Sequence, residues 1–176
     1  TKIRRKRVEG RETFCYTETE RKNRGTFCAP CRREREESAM PSTYAHRRFG
    51  ANVLEHLPDE LRAQLEQNRE LYDIGLHGPD LLFYYHAAKS NPVGALGNAM
   101  HEEPGRVFFD RARRVVHCEA DRDAALAYAL GFVCHFALDS TCHPYVEQFV
   151  RESGVSHCEI ETEFDNALLR EDGEDP

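Results

Sequence analysis

The sequence predicts an all-α fold, a multi-helix bundle behind a disordered, basic N-terminal leader. Three observations carry that reading. From residue 45 onward apolar residues recur at helical spacing, capping and breaking residues punctuate those runs, and no stretch shows the apolar–polar alternation of a half-buried strand. With 176 residues, 40% hydrophobic and 31% charged, the chain has enough material for a domain with a real core.

Composition sets the leader apart. Residues 1–39 hold 12 Lys+Arg against 7 Glu, and residues 40–176 hold 12 Lys+Arg against 24 Asp+Glu, so the overall −7 divides into +5 and −12. Clusters such as Arg4-Arg5-Lys6-Arg7 and Arg32-Arg33-Glu34-Arg35 sustain no apolar period and cannot offset the entropy of ordering. Met40-Pro41-Ser42-Thr43 reads as the natural start of a domain, which makes 1–39 an appended or spurious leader and 40–176 the helical domain. Two functional readings of the leader stay open: a metal knuckle at Cys28-x-x-Cys31, which lacks a second pair, and a nucleic-acid-binding arm.

The elements follow in order. Ala45 to Leu57 places apolar or small residues at 45, 49, 53, 54 and 57, one face of a helix. Pro58-Asp59-Glu60 starts the next, with Leu61 and Leu65 one turn apart. Gly75-x-x-Gly78-Pro79-Asp80 predicts a loop leading into Leu81–Tyr85, and residues 89–99, with Asn91-Pro92, Gly94 and Gly97, predict a second loop. Pro104 to Val116 is amphipathic. Asp121 or Asp123 caps a central helix that is apolar nearly all round through Leu138, with Pro144 ending or restarting it, and Val155 to Leu169 forms the last helix. The longest apolar stretch, Ala124 to Leu138, is too short for a transmembrane segment, and no apolar run follows the basic start as in a signal peptide. Seven irregularly spaced cysteines without an export signal read as reduced thiols in a cytoplasmic protein.

All nine histidines lie in the acidic part. Such a body repels nucleic acid but suits metal cations. The informative stretch is His135-x-x-x-Asp139-x-x-x-His143. Residues four apart stack on one helix face about 6 Å from each other, and ionisable groups in an apolar helix are costly unless paired or metal-bound. His157-x-x-x-Glu161 repeats the step, so five ligand-type groups fall within 27 residues. Imidazole nitrogen with carboxylate oxygen suits zinc. Each pair also has a plainer reading: a hydrogen-bonded His–Asp pair in a core, and a solvated acidic face beside Glu159, Glu163 and Asp165. Asp80 is equally an N-cap, and His46 and His101 are each, alone, structural or exposed residues as readily as ligands.

Taken together, His46, Gly78-Pro79-Asp80, His101, His135-x-x-x-Asp139, His143 and His157-x-x-x-Glu161 resemble the bacterial zinc-dependent phospholipase C family, whose trinuclear architecture the fungal single-strand nucleases share. The resemblance spans residues 40 to about 165 and keeps the order of ligands. It implies one zinc on Asp80, His101, His135 and Asp139, a second on His143, His157 and Glu161, and a third on His46, Asp139 and an N-terminal amine. Pro41 would supply that amine after processing. His86, six residues beyond Asp80, competes with His101, which is preferred for the helix and paired Phe108-Phe109 that follow it. The family's N-terminal Trp has no counterpart, and members usually continue beyond the point where this chain stops, which makes truncation at the C-terminus an expectation. Cys134 and Cys142 read as packing residues, although either thiolate is a possible ligand, and His56, His77 and His117 as surface residues.

The resemblance implies a phosphodiester hydrolase of the phospholipase C type that uses a zinc-activated water, with Asp80 orienting or deprotonating it, on a phospholipid or other phosphoester. Two alternatives remain. One is a nuclease or nucleotidase on the same zinc site, with Phe83, Tyr84 and Tyr85 as base-stacking candidates. The other is a non-catalytic, metal-stabilised helical binding module.

Overall fold

The structure, a computed structural model, describes residues 7–8, 11–12, 43–87 and 89–176. They fall into two compact units, Thr1–Glu37 and Ser38–Pro176. In the first, two-residue strands β1 (Arg7–Val8) and β2 (Arg11–Glu12) pair antiparallel, with Arg7 opposite Glu12. The expected knuckle at Cys28 and Cys31, the domain start at Met40 and the ligand at Pro41 lie outside the described residues.

The described residues of the second unit form helices joined by short connections. Helix α1 spans Tyr44–His56, α2 Asp59–Gln67 and α3 Arg69–Gly75. A 3-10 helix follows over Gly78–Tyr84, then α4 Pro92–Glu102, α5 Gly105–Cys118, α6 Arg122–Ser153 and α7 His157–Asp172. The local causes are legible. Pro58 precedes an acidic first turn in α2. Asp121, of the two candidates, caps α6 by accepting from the Ala124 N–H at 3.0 Å, and Ser156 caps α7. Gly154 and Gly173 end α6 and α7 in the left-handed conformation.

Two expectations are corrected. Residues 92–102 form α4, not a loop. The Asn91 side chain accepts from the Val93 and Gly94 N–H groups at 2.9 Å each, and Pro92 occupies the first turn, so the apparent loop signals are a helix start. Gly97 stays inside α4 because the Phe83 ring lies where a Cβ would stand. Likewise, Pro144 neither ends nor restarts the central helix. α6 runs through it for 32 residues, losing only the one backbone bond that proline cannot donate. At that length α6 becomes, among the described residues, long and apolar enough to cross a membrane by length and composition, contrary to the estimate from Ala124 to Leu138. It is nonetheless the spine of the domain, and it carries His135 and Asp139.

The core lies where α3 packs on the first half of α6. Leu54, Leu65, Tyr72, Leu76, Ala127 and Cys134 are buried together. Two glycines set the approach: a Cβ on Gly131 would overlap the Tyr72 carbonyl oxygen, and one on Gly75 would overlap that of Tyr128. The Tyr72 hydroxyl donates to the Gly50 carbonyl at 2.9 Å and sits 3.4 Å from Cys134 Sγ, which binds α1 into the same core. α1 then reaches α7 through polar contacts: the Tyr44 hydroxyl donates to Asp172 at 2.8 Å, and Arg48 pairs with Glu171 and Asp172.

Candidate metal centre

Five elements converge beside this core. α1 brings His46, the 3-10 helix Asp80 and α4 His101. α6 brings His135, Asp139 and His143 on successive turns, and α7 brings His157 and Glu161. All eight side chains that the sequence singled out along these elements therefore meet in one region. Asp139 is central. Its Oδ1 lies 3.2 Å from His46 Nε2 and 3.7 Å from His143 Nε2, and its Oδ2 lies 3.0 Å from His135 Nε2. Asp80 Oδ1 is 3.0 Å from His101 Nε2. Glu161 Oε1 is 2.8 Å from His157 Nε2 and 3.6 Å from His143 Nε2.

Donor atoms within 4.8 Å of one another form three groups: His46, Asp80 and His135; His101, His135 and Asp139; and His143, His157 and Glu161. The first and second share His135. Asp80 thus stands with His46 and His135 in one group, while its closest imidazole contact is His101.

The groups fit metal ions better than they fit one another. His46 and His135, 6% and 2% exposed, stack with ring centroids 4.3 Å apart. His135 Nδ1 lies 3.2 Å from the Leu76 carbonyl, and His101 Nδ1 lies 2.8 Å from the Gly97 carbonyl. A carbonyl only accepts, so each Nδ1 carries the hydrogen and each Nε2 is turned toward the carboxylates with its lone pair, as a metal-ligating imidazole is. His135 Nε2 and His46 Nδ1 are buried without a hydrogen-bond partner; although His135 Nε2 is close to Asp139, the geometry of a hydrogen bond is not met. A divalent cation would satisfy such atoms. Nitrogen and carboxylate oxygen are the donor set zinc takes.

The electrostatics agree. Burial would raise the Asp139 carboxyl, but contact with His135 and His46 outweighs it and holds the group far below the usual carboxylate range. Burial opposes ionisation of Glu161 too, and His143 and His157 nevertheless bring it down to about 2. The hydrogen bond to Glu161 raises His143 against the effect of burial, and the one to Asp80 raises His101. Without a metal, protons occupy positions that cations can take.

The backbone is shaped for this cluster. Gly78 has φ +53°, and a Cβ there would overlap the His135 ring. Gly78-Pro79-Asp80 is thus a tight turn that admits the imidazole and delivers Asp80 beside it.

Other residues fall elsewhere. His86 is exposed, at φ +47°, with its ring edge-on to Tyr85, and belongs to none of the three groups. Cys134 faces Tyr72 in the core. Cys142 is half-buried near the cluster, and burial, with Asp139 and Glu161 nearby, keeps its thiol raised. His56 and His117 are exposed as expected, but His77 is not: it is half-buried, and burial, with His46 near, lowers it. It follows the buried Leu76 and precedes the Gly78 turn, which draws it inward.

Asp165 was missed. Read as part of a solvated acidic face, it accepts from the backbone N–H groups of Thr43, Tyr44 and Ala45 at 2.9–3.0 Å, and so holds the start of α1 one residue before His46. Its partners stand 120 residues or more away in sequence, so no local signal could reveal it.

Beside Asp139, His143 and Glu161 opens a cavity of about 290 Å³, otherwise lined mainly by apolar groups, among them Leu138, Val146, Ile160 and Phe164. Tyr145 stands at its mouth, 73% exposed.

Fold and donor cluster together define a class: helical proteins with clustered histidines and carboxylates that could hold metal. The sequence pattern of the zinc-dependent phospholipase C family matches residues 45–175, and the chain belongs to that family. No curated protein and no solved structure matches the chain.

Proposed function

We propose that this protein is a zinc-dependent phosphodiester hydrolase of the phospholipase C type. The observation that supports this best is the position of Asp139, whose two oxygens stand among three imidazoles from α1 and α6. A carboxylate so shared is suited to hold neighbouring cations together. His46, Asp80, His101, His135, Asp139, His143, His157 and Glu161 would hold up to three zinc ions. Zinc bound there supplies Lewis-acid stabilisation of a phosphoryl group and an ionised water at neutral pH.

The chain's own residues do the rest. Asp80, half-buried on the 3-10 helix with one oxygen on His101, would orient the attacking water and accept its proton. His101 and His143, both raised by their carboxylate partners in the absence of metal, would give up those protons when zinc binds. The apolar lining beside Asp139 and Glu161 suits the glyceride part of a phospholipid and offers little to a nucleotide.

The test is zinc content by mass spectrometry, together with turnover of phosphatidylcholine, a water-soluble phosphodiester and single-stranded DNA. Two or more zinc ions per chain with lipid turnover is the expected result. Zinc at one or none per chain, without turnover, indicates a binding module and overturns the proposal. DNA turnover without lipid turnover keeps the hydrolase and overturns its phospholipase type.

A further inference from the structure

Away from the donor cluster, α5 has a divided surface. Phe108, Phe109, Ala112 and Val116 face α6, where Phe108 stacks on Phe132 with centroids 4.0 Å apart and Phe109 meets Phe136 edge-on at 5.4 Å. Arg106, Arg111, Arg113 and Arg114 are exposed. The apolar side is only half covered. No residue of α5 is buried, and Val115 on α5 with Val133 and Phe136 on α6 remain 54%, 41% and 42% exposed. Between the helices lies an open groove of about 450 Å³ lined by apolar groups, among them Phe109, Val116, Leu126 and Val133, together with Arg113, Arg122 and the single carboxylate of Asp123.

The arginines of α5, like Arg47, Arg122 and Arg170, carry charge that no carboxylate among the described residues pairs. Arg48, Arg62, Arg69 and Arg151 each form an ion pair, whereas the four on α5 form none among the described residues. Asp110 is the only acid within the helix, so α5 contributes +3 to a body that is otherwise strongly acidic. Arg111 and Val115, four apart, share one edge of the helix, and Arg113 shares the other with Phe109. Guanidinium and apolar surface are thus paired on both edges.

The geometry points to α5 and its groove as a docking surface for an anionic lipid interface. Arginines meet lipid phosphates while the apolar edge enters the boundary with the acyl chains. The acidic remainder of the domain is repelled by the same surface, which leaves α5 as the side that approaches. Other occupants fit less well. Residues 1–39 are themselves cationic, and two copies of α5 would set arginine against arginine. An α5-to-acidic-face contact between copies would be head-to-tail and would leave the apolar groove without an apolar partner. Nucleic acid would use the arginines but not the apolar groove.

Sedimentation with vesicles tests this. The protein is mixed with vesicles of phosphatidylcholine alone, or of phosphatidylcholine with phosphatidylglycerol, in low salt and in about 0.5 M salt. Binding to the anionic vesicles in low salt and its loss in high salt are expected. Replacing two of the four cations in the double variant Arg111→Gln/Arg114→Gln should weaken binding by about thirty-fold, with helicity unchanged by circular dichroism. Equal binding to neutral vesicles, undiminished binding by the double variant, or tighter binding of single-stranded DNA through the same arginines would overturn the proposal. Turnover of a water-soluble phosphodiester, measured on the same samples, separates this from the hydrolase reading, because neither result requires the other.

Discussion

The two halves of α6 solve opposite problems with one continuous helix. On the side toward α3 its first half is close-packed. Ala127 and Cys134 are buried against α3, Gly131 lets the backbones touch, and the Cys134 thiol meets the Tyr72 hydroxyl. From His135 the same helix turns His135, Asp139 and His143 toward the cluster, while Tyr145 and Phe149 are exposed. The first half keeps the domain folded. The second half holds one buried and one half-buried imidazole around a half-buried carboxylate, a cluster that a helix could not carry alone, because α1, the 3-10 helix, α4 and α7 bring the partners. Burial in one half thus supports a costly polar cluster in the other.

The contrast can be broken from either side. The largest effect is expected from Asp139→Asn. It should cut phosphodiester turnover by about 10²–10³-fold and lower the bound zinc, while the far-ultraviolet spectrum of the core stays helical. Unchanged zinc content would overturn the metal-binding role proposed for Asp139. Next, Gly131→Ala should cost about 3 kcal/mol through overpacking against Tyr72 and Gly75, equivalent to a fall in Tm of about 6–12 °C. Zinc affinity of the fraction that remains folded should change little; a large loss would show that the halves are not separable.

Asp165→Ala should cost about 1–2 kcal/mol as a lost cap, seen in chemical denaturation, and should disturb zinc at His46 more than zinc at His157. Equal loss at both would argue against a local role.

The smallest effect is a dependence on pH. Without metal, the raised His101 and His143 contribute stability that is present below about 6.5 and is lost as pH rises through their higher folded values. Glu161, brought down to about 2, contributes stability above its ordinary value near 4.5 that is lost as pH falls through about 2. Zinc replaces the protons, so the rise in Tm on adding zinc should grow from pH 5.5 to pH 8. A rise that stays constant over that range would contradict the linkage.

Much of this was legible in the sequence because it is local. The period of α1, the amphipathic face of α5, the cap at Asp121 and the four-residue steps from His135 to His143 and from His157 to Glu161 are properties of single helices. α4 was hidden because Asn91-Pro92 and two glycines signal a loop and a helix start equally well. Pro144 was misread because one missing backbone bond does not outweigh the packing on either side. α3 lacked a signal of its own, being seven residues held by the core it meets.

The sequence by itself determined the helical class, the residue types that can bind metal and their order along the chain, because spacing on a helix fixes which side chains share a face. Only the tertiary structure decided that His46, Asp80, His101, Asp139 and Glu161 meet, that His101 and not His86 joins them, and that Asp165 holds α1 in place. Those are contacts between residues distant in sequence, and it is the packing of α3 and α6 through Gly75 and Gly131 that brings their helices within reach.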